Sequence, residues 1–219
     1  MKAYGSLLFL INFSIFAYQP DSVLCYKMDS VFSISKNSTW AVLANQSPKV
    51  YFAASFQTLQ FDFEKSKQSI IDIPHFVGFF GDIAERINDS TTNAKFGTYY
   101  FSIETMFARN WFLLDCDSVS MNEDSSELVI FFHQNENSKL NEKYRKTRKK
   151  WINVENAGLS CGWFFRKEGN SKTRVGYFMM TRPLISIPDW LYNIAAKSML
   201  PNTVNNVEKN ILNELRKRT

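Results

Sequence analysis

The C-terminal third constrains this chain most: a strand-like run, Thr173 to Met180, passes through Ser186-Ile187-Pro188-Asp189-Trp190 into a long amphipathic segment. Ser186 is placed to cap a helix with Asp189 three residues on, Pro188 falls in the first turn where its missing N–H is harmless, and Asp189 suits the positive end of the dipole. Trp190, Ile194, Pro201, Val204, Val207, Ile211 and Leu215 recur near the helical period, while Asn193, Lys197, Asn205, Glu208 and Lys209 fall mostly elsewhere. One stripe is therefore expected to face the body of the protein, with a bend at Pro201. A closing helix of this kind needs a broad apolar layer to lie on.

Upstream segments supply that layer. Lys49 to Phe63 reads as one or two strands, and Glu64 to Phe80 as a helix, with Ile70, Ile71, Ile73, Phe76, Val77 and Phe80 at three-and-four spacing and Pro74 breaking or kinking it. Strand candidates follow at Ala84–Asn88, Phe96–Ile103, Phe107–Cys116, Leu128–His133, Trp151–Asn156, Cys161–Lys167 and Arg174–Met180, separated by Asn, Asp, Ser and Gly clusters. Consecutive strands on short turns, with helices before and after, predict an antiparallel meander of the α+β class. The 219 residues suit one core, and 16% aromatic content, including 20 Phe, points to a thick core or a greasy cavity.

Lys2 followed by the apolar run Leu7–Ala17 reads as a secretory leader, the alternative being a buried or loosely packed N-terminal element of a cytoplasmic protein; on the first reading residues 1–24 are removed and 25–219 form one exported domain. Cys25, Cys116 and Cys161 match no metal spacing; Cys116 and Cys161 are each a buried small hydrophobe or else partners in one bridge. With His only at positions 75 and 133, no glycine-rich phosphate loop and no Ser-His-acid set in a recognisable context, neither an enzyme nor a cofactor is expected. The net charge of +5 is too scattered to indicate nucleic acid, and the one dense basic stretch, Lys139–Lys150, has a single aromatic residue, Tyr144.

Several sequences in order resemble those of the START domain, the steroidogenic-acute-regulatory-related lipid transfer module of the Bet v 1-like helix-grip superfamily. These are Ile70-Ile71-Asp72 with Phe76 and Phe79-Phe80, Arg109-Asn110-Trp111-Phe112, Gly162-Trp163, Thr173-Arg174-Val175-Gly176-Tyr177, and Ile187-Pro188-Asp189-Trp190-Leu191-Tyr192-Asn193. They match the family's aspartate-bearing helix, its Arg-Asp-Phe-Val strand, its Gly-Trp turn, its Thr-Arg-Val-Thr-Tyr strand and the start of its closing helix. Asn110 replaces the usual Asp, and Thr181-Arg182-Pro183-Leu184-Ile185 stands where an Asp-Pro-Gly-Gly turn is common. The resemblance covers about Trp40 to the C-terminus. It implies a curved antiparallel sheet gripping the C-terminal helix, with an internal hydrophobic tunnel for one phospholipid or sterol.

Within that frame, strand alternation puts Val175, Tyr177 and Met179 on the tunnel side, opposite Arg174, and likewise Cys161, Trp163 and Phe165. For Phe107–Cys116 both faces are apolar, and only the resemblance favours Arg109 inside with Trp111 and Leu113 beside it. Arg109 would then orient a head group or pair with Glu104 or Asp115, with His133 as a second polar contact and Trp190, Ile194 and Ser198 lining the helix side. Lys143, Arg145, Lys146, Arg148 and Lys149 occupy the place of the family's mobile entrance loop and are expected to dock on anionic membrane. The expected protein is a monomeric lipid carrier; the alternative is a sensor that signals its lipid occupancy to a protein partner.

Overall fold

The computed structural model describes residues 38–44, 50–79, 83–87, 94–104, 108–147, 152–154, 156–183 and 188–218. The expected leader, Cys25, the Ser186 cap and the basic pair Arg148 and Lys149 lie outside them. No described helix is long and apolar enough to cross a membrane.

Strands β1 (Ser38–Ala44) and β2 (Val50–Leu59) lead into α1 (Phe63–Ile71), the short α2 (Ile73–Phe76) and a 3-10 turn, Val77–Phe79. Next come β3 (Ile83–Ile87), β4 (Thr98–Glu104), β5 (Ala108–Met121), β6 (Glu127–Gln134), α3 (Ser138–Thr147), β7 (Ile152–Val154), β8 (Asn156–Lys167), β9 (Thr173–Pro183) and α4 (Asp189–Arg218). The strands form one sheet in the order β1-β2-β9-β8-β6-β5-β4-β3, antiparallel throughout, with β7 added parallel to β5.

Local chemistry sets the boundaries. Asp62 caps α1, its Oδ1 accepting from the N–H groups of Glu64 at 2.9 Å and Lys65 at 3.3 Å. The single helix expected over Glu64–Phe80 is divided: Asp72 leaves the helical region at ψ 80°, two residues ahead of Pro74. Pro74 then sits in the first turn of α2. The basic stretch read as a loop is in part a helix, α3, because the Asn137 side chain accepts from the N–H groups of Lys139 and Leu140, each at 3.1 Å.

The sheet has two apolar faces. On the inner one, Leu128, Ile130 and Phe132 of β6, Cys161, Trp163 and Phe165 of β8, and Val175 of β9 pack with Phe63, Ile70 and Phe76 of α1 and α2 and Val204, Val207 and Ile211 of α4. At one end of the opposite face, Leu140 and Tyr144 of α3 cover Ile87, Tyr100, Trp111 and Leu113. Tyr100 stacks on Tyr144 at 5.4 Å and on Trp111 at 6.2 Å. Gly162 and Trp163, expected at a turn, lie in mid-strand in β8, where a Cβ on Gly162 would meet the Phe178 ring at 2.4 Å. The glycine is there to admit that ring.

Candidate functional site

Beneath α4, three neighbouring strands present one continuous inner surface. Tyr177 of β9 lies opposite Trp163 of β8 and Ser55 of β2, and Met179 lies opposite Cys161 and Ala53. The Trp163 ring meets Tyr177 at 4.7 Å and stacks on Phe165 at 6.1 Å, while Phe76 closes edge-on against both Trp163 (5.8 Å) and Phe165 (5.6 Å). From above, Tyr192, Ala196 and Leu200 of α4 pack over Ala53, Tyr177 and Met179. The structure thus brings Cys161, Trp163, Phe165, Val175, Tyr177 and Met179 together on one face, as alternation requires.

Two of the hydrogen bonds that tie the helix down lie in its N-terminal half. The Tyr51 hydroxyl donates to Asp189 Oδ1 at 3.4 Å while its ring lies 4.4 Å from that of Tyr192, and Gln57 Nε2 donates to the Pro201 carbonyl at 3.1 Å. Between these ties the surroundings are dry. Burial pushes the phenols of Tyr177 and Tyr192 well above their usual range and the Cys161 thiol up to about 12, and Tyr177 and Cys161 hydrogen-bond one another. Cys116 and Cys161 are both free, as small hydrophobes rather than a bridge. Among the described residues the buried Tyr192 hydroxyl has no hydrogen-bond partner. Yet Tyr177, Met179 and Tyr192 each retain some accessible surface. Tyr51 and Gln57 had no distinguishing signal in the sequence; Tyr192 stands in the segment that resembles the start of the family's closing helix, and its place over the sheet shows only in the structure.

Other expected site residues fall elsewhere. Trp111 and Leu113 face away from α4 and belong to the cluster under α3, because both faces of β5 are apolar and each has its own helix. Trp190 and Ile194 are 64% and 59% exposed, and Ser198 is exposed as well, since the contacting stripe of α4 runs through Tyr192, Ala196 and Leu200. His133 lies on the face opposite Phe132, opposite Ser160 in register and away from the inner surface. Arg109 is a β5 residue whose register partner is Glu104; its side chain, like those of Arg145 and Lys146, lies outside the described residues. Lys143 is exposed on α3.

His133 instead joins a carboxylate group. Its Nδ1 contacts Asp117, the residue skipped at the β5 bulge, and its Nε2 is 3.9 Å from Asp115, which also accepts from Asn135 Nδ2. The hydrogen bond to Asp117 raises the imidazole pKa above 6.5. A raised folded value stabilises the fold fully below the unfolded pKa and less as pH climbs through the folded one. Denaturation midpoints are therefore expected to fall on the alkaline side of about pH 6.5, and His133→Gln is expected to flatten that fall. Superimposable pH profiles would remove the coupling. Among the described residues no group of His, Cys, Asp and Glu could hold a metal ion.

A predominantly antiparallel sheet carrying a long C-terminal helix against one face is the helix-grip class of α+β fold. The particular fold is that of the START domain. Human STARD10 matches over 91% of this chain and 83% of its own, at 13% identity and a TM-score of 0.61. Human StAR-related lipid transfer protein 5 matches over 96% and 97%, at 12% identity and 0.54. A STAR-related lipid transfer protein fragment from Xanthomonas axonopodis matches over 78% and 98%, at 15% identity and 0.52. No family model and no curated relative matches the sequence.

Proposed function

We propose that this protein binds a single lipid, a phospholipid or sterol, between the inner sheet face and α4, and transfers it passively between membranes. The observation that carries this reading is the pairing of an apolar inner surface with the Tyr192 hydroxyl, which, like those of Ser66 of α1 and Ser102 of β4, is buried without a partner among the described residues. An orphaned hydroxyl in a dry site is costly unless something supplies a partner, and a lipid head group or sterol hydroxyl would do so. The apolar remainder of the lipid would be shielded at about 25 cal/mol per Å² of surface removed from water. The START folds that this chain matches include two solved proteins whose names describe lipid transfer, which agrees with the reading.

Release needs a membrane contact. The first turns of α4 are apolar on two sides: Tyr192, Ala196 and Leu200 face the sheet, while Trp190, Leu191, Ile194 and Met199 stand exposed. A helix greasy on both sides suits a sheet below and a bilayer interface above, where Trp is favoured. Lys143, Arg145, Lys146, Arg148 and Lys149 add attraction to anionic lipid, roughly 1 kcal/mol per residue close to the surface.

Transfer of a fluorescent phospholipid or sterol between vesicles tests the proposal without any protein partner. Transfer is expected, faster to acceptors containing anionic lipid. Lipid binding without transfer, together with a protein complex that forms only in the bound state, would favour the sensor instead. Tyr192→Phe is expected to weaken lipid binding about 5- to 10-fold while leaving stability unchanged or raised, since the lost hydroxyl has no partner among the described residues. Unaltered affinity would take Tyr192 out of the site.

A further inference from the structure

The strands beneath the first half of α4 are free of charged residues. β1 (Ser38–Ala44), β2 (Val50–Leu59), the span 175–181 of β9 and the span 156–165 of β8 contain no Asp, Glu, Lys, Arg or His. These four strands are neighbours in the sheet, and α4 lies over β1 and β2. Over residues 189–200 the helix itself contributes two charges, those of Asp189 and Lys197. Lys197 is exposed, so its ammonium is in water. Asp189 accepts from the Tyr51 hydroxyl, and the Tyr51 ring lies against that of Tyr192.

The polar atoms gathered there are neutral. Tyr177 and Cys161 hydrogen-bond one another, and the buried Tyr192 hydroxyl packs beside them with its donor and acceptor unmet among the described residues. Burial holds both phenols in the protonated form, and the neighbours that reinforce it are neutral in turn: Cys161 and Tyr192 act on Tyr177, and Tyr51 acts on Tyr192. An ion placed among such groups loses its hydration and gains no counter-charge from these strands, whereas a hydroxyl can both accept from a phenol and donate to it. The strand that carries Arg109, β5, stands three places beyond β9, about 14 Å across the sheet. It is not part of this floor.

We propose that the polar group received at Tyr192 is an uncharged hydroxyl, so that the ligand is a lipid alcohol, and that lipids presenting a sulfate, phosphate or carboxylate at this end are excluded. This inference rests on the lipid reading above and narrows it to one class of head group. Tyr192 offers a hydroxyl both a donor and an acceptor, the charge-free strands give an anion nothing to pair with, and Asp189, one ring away, repels it. A phospholipid would have to keep its phosphate in water and forgo the contact.

Lipid pairs that share a body and differ only in the polar group test this on the full, unaltered chain. A sterol is compared with its sulfate ester, and hexadecanol with hexadecyl sulfate, each radiolabelled and offered in phosphatidylcholine vesicles; the lipid carried by protein separated from the vesicles is then measured. In the pair whose body is carried, uptake of the alcohol is expected to exceed that of the sulfate by about 100-fold or more. The methyl ether of that alcohol, which accepts but cannot donate, is expected to be carried about 5- to 10-fold less than the alcohol itself. Tyr192→Phe is expected to bring alcohol and ether to the same level. Sulfates, or the phosphatidylcholine of the vesicles, carried as well as the alcohols would overturn this inference and leave the lipid reading standing. No uptake of any lipid, charged or uncharged, would overturn both.

Discussion

Trp163→Ala is expected to destabilise the protein by about 3–5 kcal/mol, with a melting temperature lower by roughly 10 °C for a domain of this size. Trp163 is fully buried at the centre of the inner face, touching Phe76, Phe165 and Tyr177 from three directions. Its loss removes the largest ring in the layer and leaves a void that β8, paired on both edges by β6 and β9, cannot collapse to fill. Chemical denaturation measures the effect directly. A change below about 1 kcal/mol would mean that the ring borders open space rather than packed neighbours.

A still larger loss is expected from Val204→Asp. Val204 is wholly buried where α4 crosses the core, within a cluster of apolar side chains. Burying an unpaired charge, or the protonated acid in its place, is expected to exceed about 4 kcal/mol and to free α4 from the sheet. Val204→Ala separates charge from volume: it is expected to remain folded with a loss of about 2 kcal/mol. Circular dichroism and a denaturation curve distinguish the two. Equal effects of Asp and Ala would show that α4 is not gripped at this point.

These two positions also mark where the sequence was readable. Period-two alternation placed Cys161, Trp163, Phe165, Val175, Tyr177 and Met179 on one face because a single charged residue, Arg174, broke the symmetry of β9. On β5 the same rule was silent, since Trp111 and Leu113 are as apolar as Phe112 and Leu114 and each pair has a helix of its own. That second helix, α3, was hidden by its charge: its apolar contact with the sheet is made by Leu140 and Tyr144, four apart.

Along α4, Val204, Val207 and Ile211 were correctly read as the contact stripe, but Trp190 and Ile194 were not. At 100° per residue, positions four apart are about 40° out of line, so a stripe through Tyr192, Ala196, Leu200 and Val204 winds around the helix as it follows a twisted sheet. An untwisted helical wheel sets Trp190 only about 40° from Val204 and misses the drift. His133 was misplaced for a related reason, because Phe131 and Phe132 give both faces of β6 an aromatic residue and leave its side undetermined.

The central claim is the proposal that a lipid is held between the inner sheet face and α4. Purification of the full chain from a lipid-rich host, followed by mass spectrometry of its organic extract, tests this most directly. About one equivalent of a phospholipid or sterol per chain is expected, with less recovered from Tyr192→Phe. A clean extract, and no uptake when the same protein is offered lipid vesicles, would contradict the account and mean that the protein's own side chains fill that space.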